Sequence, residues 1–271
     1  MTIKFLMPLD QIEDLANQIK RSNDPKFIEE GLKKIIETYD VISFECQYSR
    51  PYFRARVIEN GKPFSNVSEL TYPPKNLVKE GRVNEVGSPF LYLSFTPYTA
   101  LAEIKAKEGD LVQLSGFLPK HRLPRAIILG EYQRVTKGNV SFMQDLIGYV
   151  REILDDLEKK GKSYIHCFLY PDLFFDEILR MPNASETKYI HSRILTKLLM
   201  HNSNNADGIV YHSIADLGSY NIALPAAKAD ELMKCDQTAL IKVKRVFSYG
   251  IFDFDIIKIS KGFTENGNIL W

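Results

Sequence analysis

The run Tyr52-Phe53-Arg54-Ala55-Arg56 sets two arginines two residues apart among strand-forming side chains. Alternation along a strand turns Arg54 and Arg56 to one face and Phe53 and Ala55 to the other. Guanidinium forks bind phosphate or carboxylate oxygens bidentately, so two on one face suit a pyrophosphate; a solvated strand face is the plain alternative. Further on, Gly81-Arg82-Val83-Asn84 gathers the donors of Arg82 and Asn84 in a short arc, beside glycines 81 and 87 whose backbones can take conformations closed to other residues. In Leu91-Tyr92-Leu93-Ser94, Tyr92 faces away from Leu91 and Leu93, where its ring could stack and its hydroxyl make one hydrogen bond, or where it could simply pack. Thr96-Pro97 is helix-start chemistry, with Thr96 capping free N–H groups and Pro97 fitting the first turn. On that helix Glu103 stands about 60° from Ala100 and about 100° from Ile104, at the flank of the apolar stripe. A carboxylate there is costly to desolvate unless it has partners or a task, although a glutamate on a solvated helix face needs neither.

Towards the C-terminal end, Ala206-Asp207-Gly208 reads as a tight turn into a strand, Ile209-Val210-Tyr211-His212-Ser213, and Asn221 stands eight residues past Ser213. His212 and Ser213 are neighbours in a strand and point to opposite faces, so they are poorly placed as base and nucleophile, and the chain has no GxSxG elbow. The 5 histidines form no HxxH, HExxH or Cys/His cluster, and neither a Walker phosphate loop nor GxGxxG occurs. No metal is expected. No histidine precedes His121, which argues against a helical nuclease in the first fifty residues.

These residues need elements to hold them. Leu9 to Ile19 and Pro25 to Tyr39 carry apolar residues at helical spacing and predict a helical hairpin, with Asp24 and Pro25 as N-cap and first-turn pair. From Pro51 the pattern changes to strands over 52–58, 90–95, 111–117 and 126–133, each rich in aliphatic and aromatic residues and bounded by Gly or Pro. Between the first two lies the polar stretch Glu59 to Glu85, and so long a loop in a compact domain is usually functional. Helices are predicted over 140–159, with Phe142 and Leu146 on one stripe, and over 185–201; strands over 164–169, 208–213, 238–249 and 252–259. The irregular interleaving predicts an α+β fold, divided into an N-terminal helical extension, 1–50, and a main domain, 51–271.

With 35 basic and 34 acidic residues the formal charge is +1, which recommends neither nucleic acid nor an anionic membrane as partner. No apolar run approaches the roughly 20 residues of a membrane span, and the start MTIKFLMPLDQIEDL meets acids too soon for a secretory signal. The expected compartment is the cytoplasm, and Cys46, Cys167 and Cys235 are expected as reduced thiols.

Taken in order, Phe53-Arg54-Ala55-Arg56, Gly81-Arg82-Val83-Asn84, Leu91-Tyr92-Leu93-Ser94, Thr99-Ala100-Leu101-Ala102-Glu103, Gly208 to Ser213 and Asn221-Ile222-Ala223-Leu224 resemble the RES domain, the toxin module of bacterial Xre-RES toxin–antitoxin pairs. The resemblance covers roughly residues 50 to 230. It implies a fold similar to ADP-ribosyltransferase toxins, with a mixed sheet core and flanking helices. The activity it implies is destruction of NAD+ as substrate, with no cofactor, by cleavage between nicotinamide and ribose. It also implies an Xre-like antitoxin as partner. Carried over, Arg54 is the family's first arginine, Arg82 the second, Tyr92 the tyrosine, Glu103 the glutamate and Ser213 the serine. Arg56 could assist or replace Arg54, and Asn84 and Asn221 join the substrate site. Transfer of ADP-ribose to a macromolecule, or nucleotide binding without turnover, would use the same residues. The segment after Asn221 departs from the family's frequent Phe, having Leu224-Pro225.

Overall fold

A computed structural model of the chain describes residues 7–48, 50–59, 61–138, 144–203 and 205–271. In chain order its helices are α1 (Leu9–Arg21), α2 (Pro25–Ile36), α3 (Pro97–Glu103), α4 (Glu131–Thr136), α5 (Gln144–Glu158), α6 (Lys162–Arg180), α7 (Ile190–Asn202) and α8 (Ala226–Leu232). The strands are β1 (Ser43–Glu45), β2 (Tyr52–Val57), β3 (Phe90–Ser94), β4 (Leu111–Pro119), β5 (Arg125–Ile128), β6 (Gly208–His212), β7 (Tyr220–Pro225), β8 (Met233–Val246), β9 (Phe252–Ile259), β10 (Gly262–Phe263) and β11 (Ile269–Leu270). The order is irregular and the fold is α+β, as the sequence predicts. Two compact units are present: one draws on the described residues of 1–48, 79–86 and 124–211, the other on those of 49–78, 87–123 and 212–271. Among the described residues no helix is long and apolar enough to cross a membrane.

The first unit is mainly helical. Asp24 accepts the Lys26 N–H at 3.0 Å and Pro25 opens α2, the predicted cap. Ile12, Ala16 and Ile19 of α1 and Ile28, Leu32 and Ile35 of α2 are buried, α1 against α6 and α2 against α7. The three strands of this unit form a mixed ladder, β1 antiparallel to β5 and β5 parallel to β6. The strand expected over 164–169 is instead part of α6. A short apolar run fits either period; here the run is the start of a nineteen-residue helix whose continuation buries Phe174, Phe175, Ile178 and Leu179. The strand expected over 126–133 stops at Ile128, because Gly130 takes φ +80° and α4 begins. Asp172 of α6 caps that turn, accepting from Gly130 N at 3.1 Å, Tyr132 N at 3.0 Å and the Tyr39 hydroxyl at 3.1 Å. The helix expected from Ser185 starts only at Ile190, after Lys188 and Tyr189 pass through the left-handed region. Phe142 lies outside the described residues.

The second unit is built on a six-stranded antiparallel sheet in the order β7-β3-β2-β4-β8-β9. One face carries α3, whose Ala100 and Leu101 pack with Ala55, Val112, Ile241, Val243 and Phe252. The opposite face holds Tyr52, Arg54 and Arg56 of β2, with Ser115 and Thr238 joined by a 2.9 Å hydroxyl contact. The long loop after β2 is largely irregular, as predicted, with two short 3-10 turns, Val67–Glu69 and Lys75–Leu77. Asn66 and Glu69 form a capping box on the first, and the C-terminal segment ties it down through Val67 N to Gly267 O at 2.9 Å.

Candidate active site

Glu103 stands at the last residue of α3, exposed rather than tucked beside the core. The helix begins as predicted: Thr96 accepts the Thr99 N–H at 3.0 Å and Pro97 occupies the first turn. It ends at once after Glu103, with Lys105 at φ +52° and Ala106 N bonded to Leu101 O. An acid in the last turn opposes the helix dipole, so helix stability gives no reason for it.

Two buried side chains meet the carboxylate. Ser213, directly after β6, donates its hydroxyl to Glu103 Oε1 at 2.7 Å, and Asn221 of β7 donates Nδ2–H to the same oxygen at 2.6 Å. Both donors are nearly enclosed, Ser213 at 2% and Asn221 at 3% exposure, so they sit on rigid supports. Oε2 receives neither donor, and the residue as a whole is exposed. Ser213 Oγ also accepts the Asp216 N–H at 3.0 Å, which fixes the turn that carries it. Asp216 in turn accepts from Thr99 Oγ1 at 2.6 Å, and the Thr96 and Ser219 hydroxyls each lie 2.6 Å from the same Thr99 oxygen. A hydroxyl has one hydrogen and two lone pairs; with its hydrogen given to Asp216, Thr99 is saturated by its two neighbours.

Tyr92 shares this face. Ser94 pairs with Asn221 and Tyr92 with Ala223 in the β3–β7 register, so Tyr92 stands about 7 Å along the strand from Ser94, opposite a small residue. Arg54 and Arg56 take different roles. The guanidinium of Arg56 donates to Glu69 O and lies 4.5 Å from the centre of the Phe64 ring, holding the long loop. Arg54 belongs by strand alternation to the face opposite Ser94 and Asn221, but β2 and β3 are joined by a single pair, Phe53 with Ser94. Phe95 N bonds Tyr220 O on the β7 side, so alternation points the Tyr92 carbonyl towards β2. There it accepts from Arg54 Nη1 at 3.2 Å, in a place a ladder N–H would fill. Arg54 Nε is buried without a hydrogen-bond partner among the described residues. Burial first, then the neighbouring Arg56 charge, pulls the guanidinium pKa from its usual range down to about 10.

Arg82 and Asn84 belong to the first unit. Arg82 Nη1 donates to Leu179 O at 2.5 Å and Met181 O at 3.2 Å, carbonyls at the end of α6, and its guanidinium lies 5.5 Å from the centre of the Tyr189 ring. Asn84 Nδ2 donates to Lys79 O and Glu85 O, closing its own turn. The His212 ring lies 4.8 Å from that of Tyr220.

The network thus holds four residues that sequence reasoning left without a role: Ser94, Thr99, Asp216 and Ser219. Ser94 was accessible to it, since it alternates onto Tyr92's side of the strand. Asp216 carried no signal, because only the fold closes its loop onto Thr99.

Glu103 is thus an exposed residue whose carboxylate is held at one oxygen by two buried donors. A family model described as RES domain matches residues 53–243. The chain belongs to the RES domain family, a family associated with NAD+-related enzymatic activity and with toxin–antitoxin systems. No curated protein and no solved structure matches it.

Proposed function

We propose that the chain cleaves the bond between nicotinamide and ribose in NAD+, passing the ADP-ribosyl group to water or inorganic phosphate and so depleting NAD+. Nicotinamide leaves as a neutral molecule, and the ribose gains oxocarbenium character as the bond stretches. A preorganised anion lowers that barrier, because it gains more interaction in the transition state than in the ground state. The observation that carries the reading is the geometry of Glu103: an exposed acid whose Oε1 is taken by the buried donors Ser213 and Asn221, neither of which bonds Oε2. In this reading Oε2 faces the anomeric carbon and a ribose hydroxyl, Tyr92 packs against the nicotinamide, and Arg54 spends its unused donors on the pyrophosphate, supported by Arg56. Arg82 and Asn84 stay assigned to substrate by resemblance alone. An ADP-ribosyltransferase-like fold, a cytoplasmic setting and an Xre-like antitoxin complete the reading.

The test is release of nicotinamide from NAD+ by the purified protein, with and without phosphate, using NAD+ labelled in the adenosine half. Soluble ADP-ribose or its phosphorylated form is expected. Label on protein or nucleic acid would replace the reading by transfer, and a folded protein that releases no nicotinamide would refute it.

A further inference from the structure

We infer that Ser94 is a positioning residue for Glu103, acting through the side-chain amide of Asn221. Ser94 and Asn221 are cross-strand partners of β3 and β7, and their side chains stand on one face. Ser94 Oγ donates to Asn221 Oδ1 at 2.7 Å, and Asn221 Nδ2 donates to Glu103 Oε1 at 2.6 Å. The two ends of an amide are nearly equal in size but opposite in function. An ionised carboxylate only accepts, so the amide must present its nitrogen to Glu103, and Oδ1 is then left in a site where Ser94 is 5% and Asn221 3% exposed. The Ser94 hydroxyl satisfies that oxygen and fixes the plane of the amide. It also polarises the amide, strengthening the bond at the far end. Removing it leaves a buried acceptor unpaired and frees rotation about the amide's last torsion, so Glu103 keeps its Ser213 bond but loses a rigid second one.

This inference rests on the proposed role of Glu103, and two measurements keep the two apart. The first is steady-state nicotinamide release by wild type, Ser94→Ala, Asn221→Ala and the double variant. Loss of one supporting hydrogen bond predicts a kcat about tenfold lower for Ser94→Ala with the KM for NAD+ changed less than about twofold. In the Asn221→Ala background the same change is expected to cost little, because the amide it acts through is gone. Effects that multiply, or a Ser94→Ala change confined to KM, overturn the inference. The second needs no turnover: exchange of the Asn221 side-chain amide protons with solvent, followed by NMR, is expected to quicken at least severalfold in Ser94→Ala. Unchanged exchange overturns the inference; a wild type that exchanges as expected yet releases no nicotinamide overturns the reaction instead.

Discussion

Replacing Arg54 by Met is expected to make the protein more stable and unable to consume NAD+. The guanidinium pKa is drawn down from its usual range to about 10, mainly by burial and next by Arg56. That difference corresponds to about 3 kcal/mol held against the charged folded state, and partial exposure with solvent screening reduces it to roughly 2 kcal/mol. Against this stands one hydrogen bond, Nη1 to Tyr92 O at 3.2 Å, worth about 1 kcal/mol. Met keeps most of the apolar stem, so the net gain is about 1 kcal/mol, or a Tm rise of about 2–4 °C for a chain of this size. The folded pKa lies below the unfolded one, so the penalty is full at every pH below about 10 and fades only as pH rises from there towards the usual guanidinium range. The gain should therefore be the same at pH 6 and pH 8. Thermal melts followed by circular dichroism read it directly, and a parallel series with ADP-ribose reads the function. Ligand should raise the wild-type Tm by mass action and leave that of Arg54→Met unmoved. A clear fall in Tm would show that Arg54 chiefly ties β2 to β3 and refute the reasoning; undiminished nicotinamide release would refute the pyrophosphate role.

Glu103→Gln retains an oxygen for Ser213 and Asn221, and the residue is exposed. Its stability should stay within about 0.5 kcal/mol of wild type while nicotinamide release falls at least about a hundredfold, measured by melting and product analysis on one preparation. Arg82→Ala strips the Leu179 and Met181 carbonyls of their donor, and denaturant unfolding should show a loss of about 1–3 kcal/mol; a raised KM for NAD+ in the same variant would add a substrate role. Asp172 is pushed up to about 7 by burial, against the pull of its three donors. Its folded pKa is the higher one, so it favours the folded state most below about pH 4 and this contribution drains away as pH climbs to about 7. Asp172→Asn cannot ionise and should lose less stability between pH 4.5 and 7.5, by up to about 3 kcal/mol, compared through denaturant midpoints.

Periodic segments were legible in the sequence because one face of each is buried for its whole length: α1, α2, the start of α3 at Thr96-Pro97 and the strands around Arg54 and Tyr92 lie where apolar spacing puts them. What escaped was decided elsewhere in the chain. Residues 164–169 are helical because of an apolar stripe that continues ten residues beyond them, and the turn at Gly130 is closed by a carboxylate forty-two positions away. The candidate site divides the same way. Glu103, Ser213 and Asn221 could be named from the resemblance that the ordered motifs carry, and in the structure Ser213 and Asn221 both donate to Glu103 Oε1. Ser94 and Asp216, which orient them, depend on strand register and loop closure, and residue type says nothing of either.

That division bears on why Glu103 stands where it does. Its helix is seven residues long, its position in the last turn works against the helix dipole, and its neighbours Ala102 and Ile104 would pack as well without it. Nothing in the local chain rewards a carboxylate there. The donors that do reward it come from two other segments, Ser213 through the Thr99-Asp216 turn and Asn221 through Ser94. Their hydroxyls and amide are spent on one oxygen although either oxygen would satisfy them. A purely structural acid would be stabilised best by sharing its donors over both oxygens. Concentrating them on Oε1 gives up some of that stabilisation and leaves Oε2 without either donor on an exposed residue, which is what the proposed contact with a substrate would use.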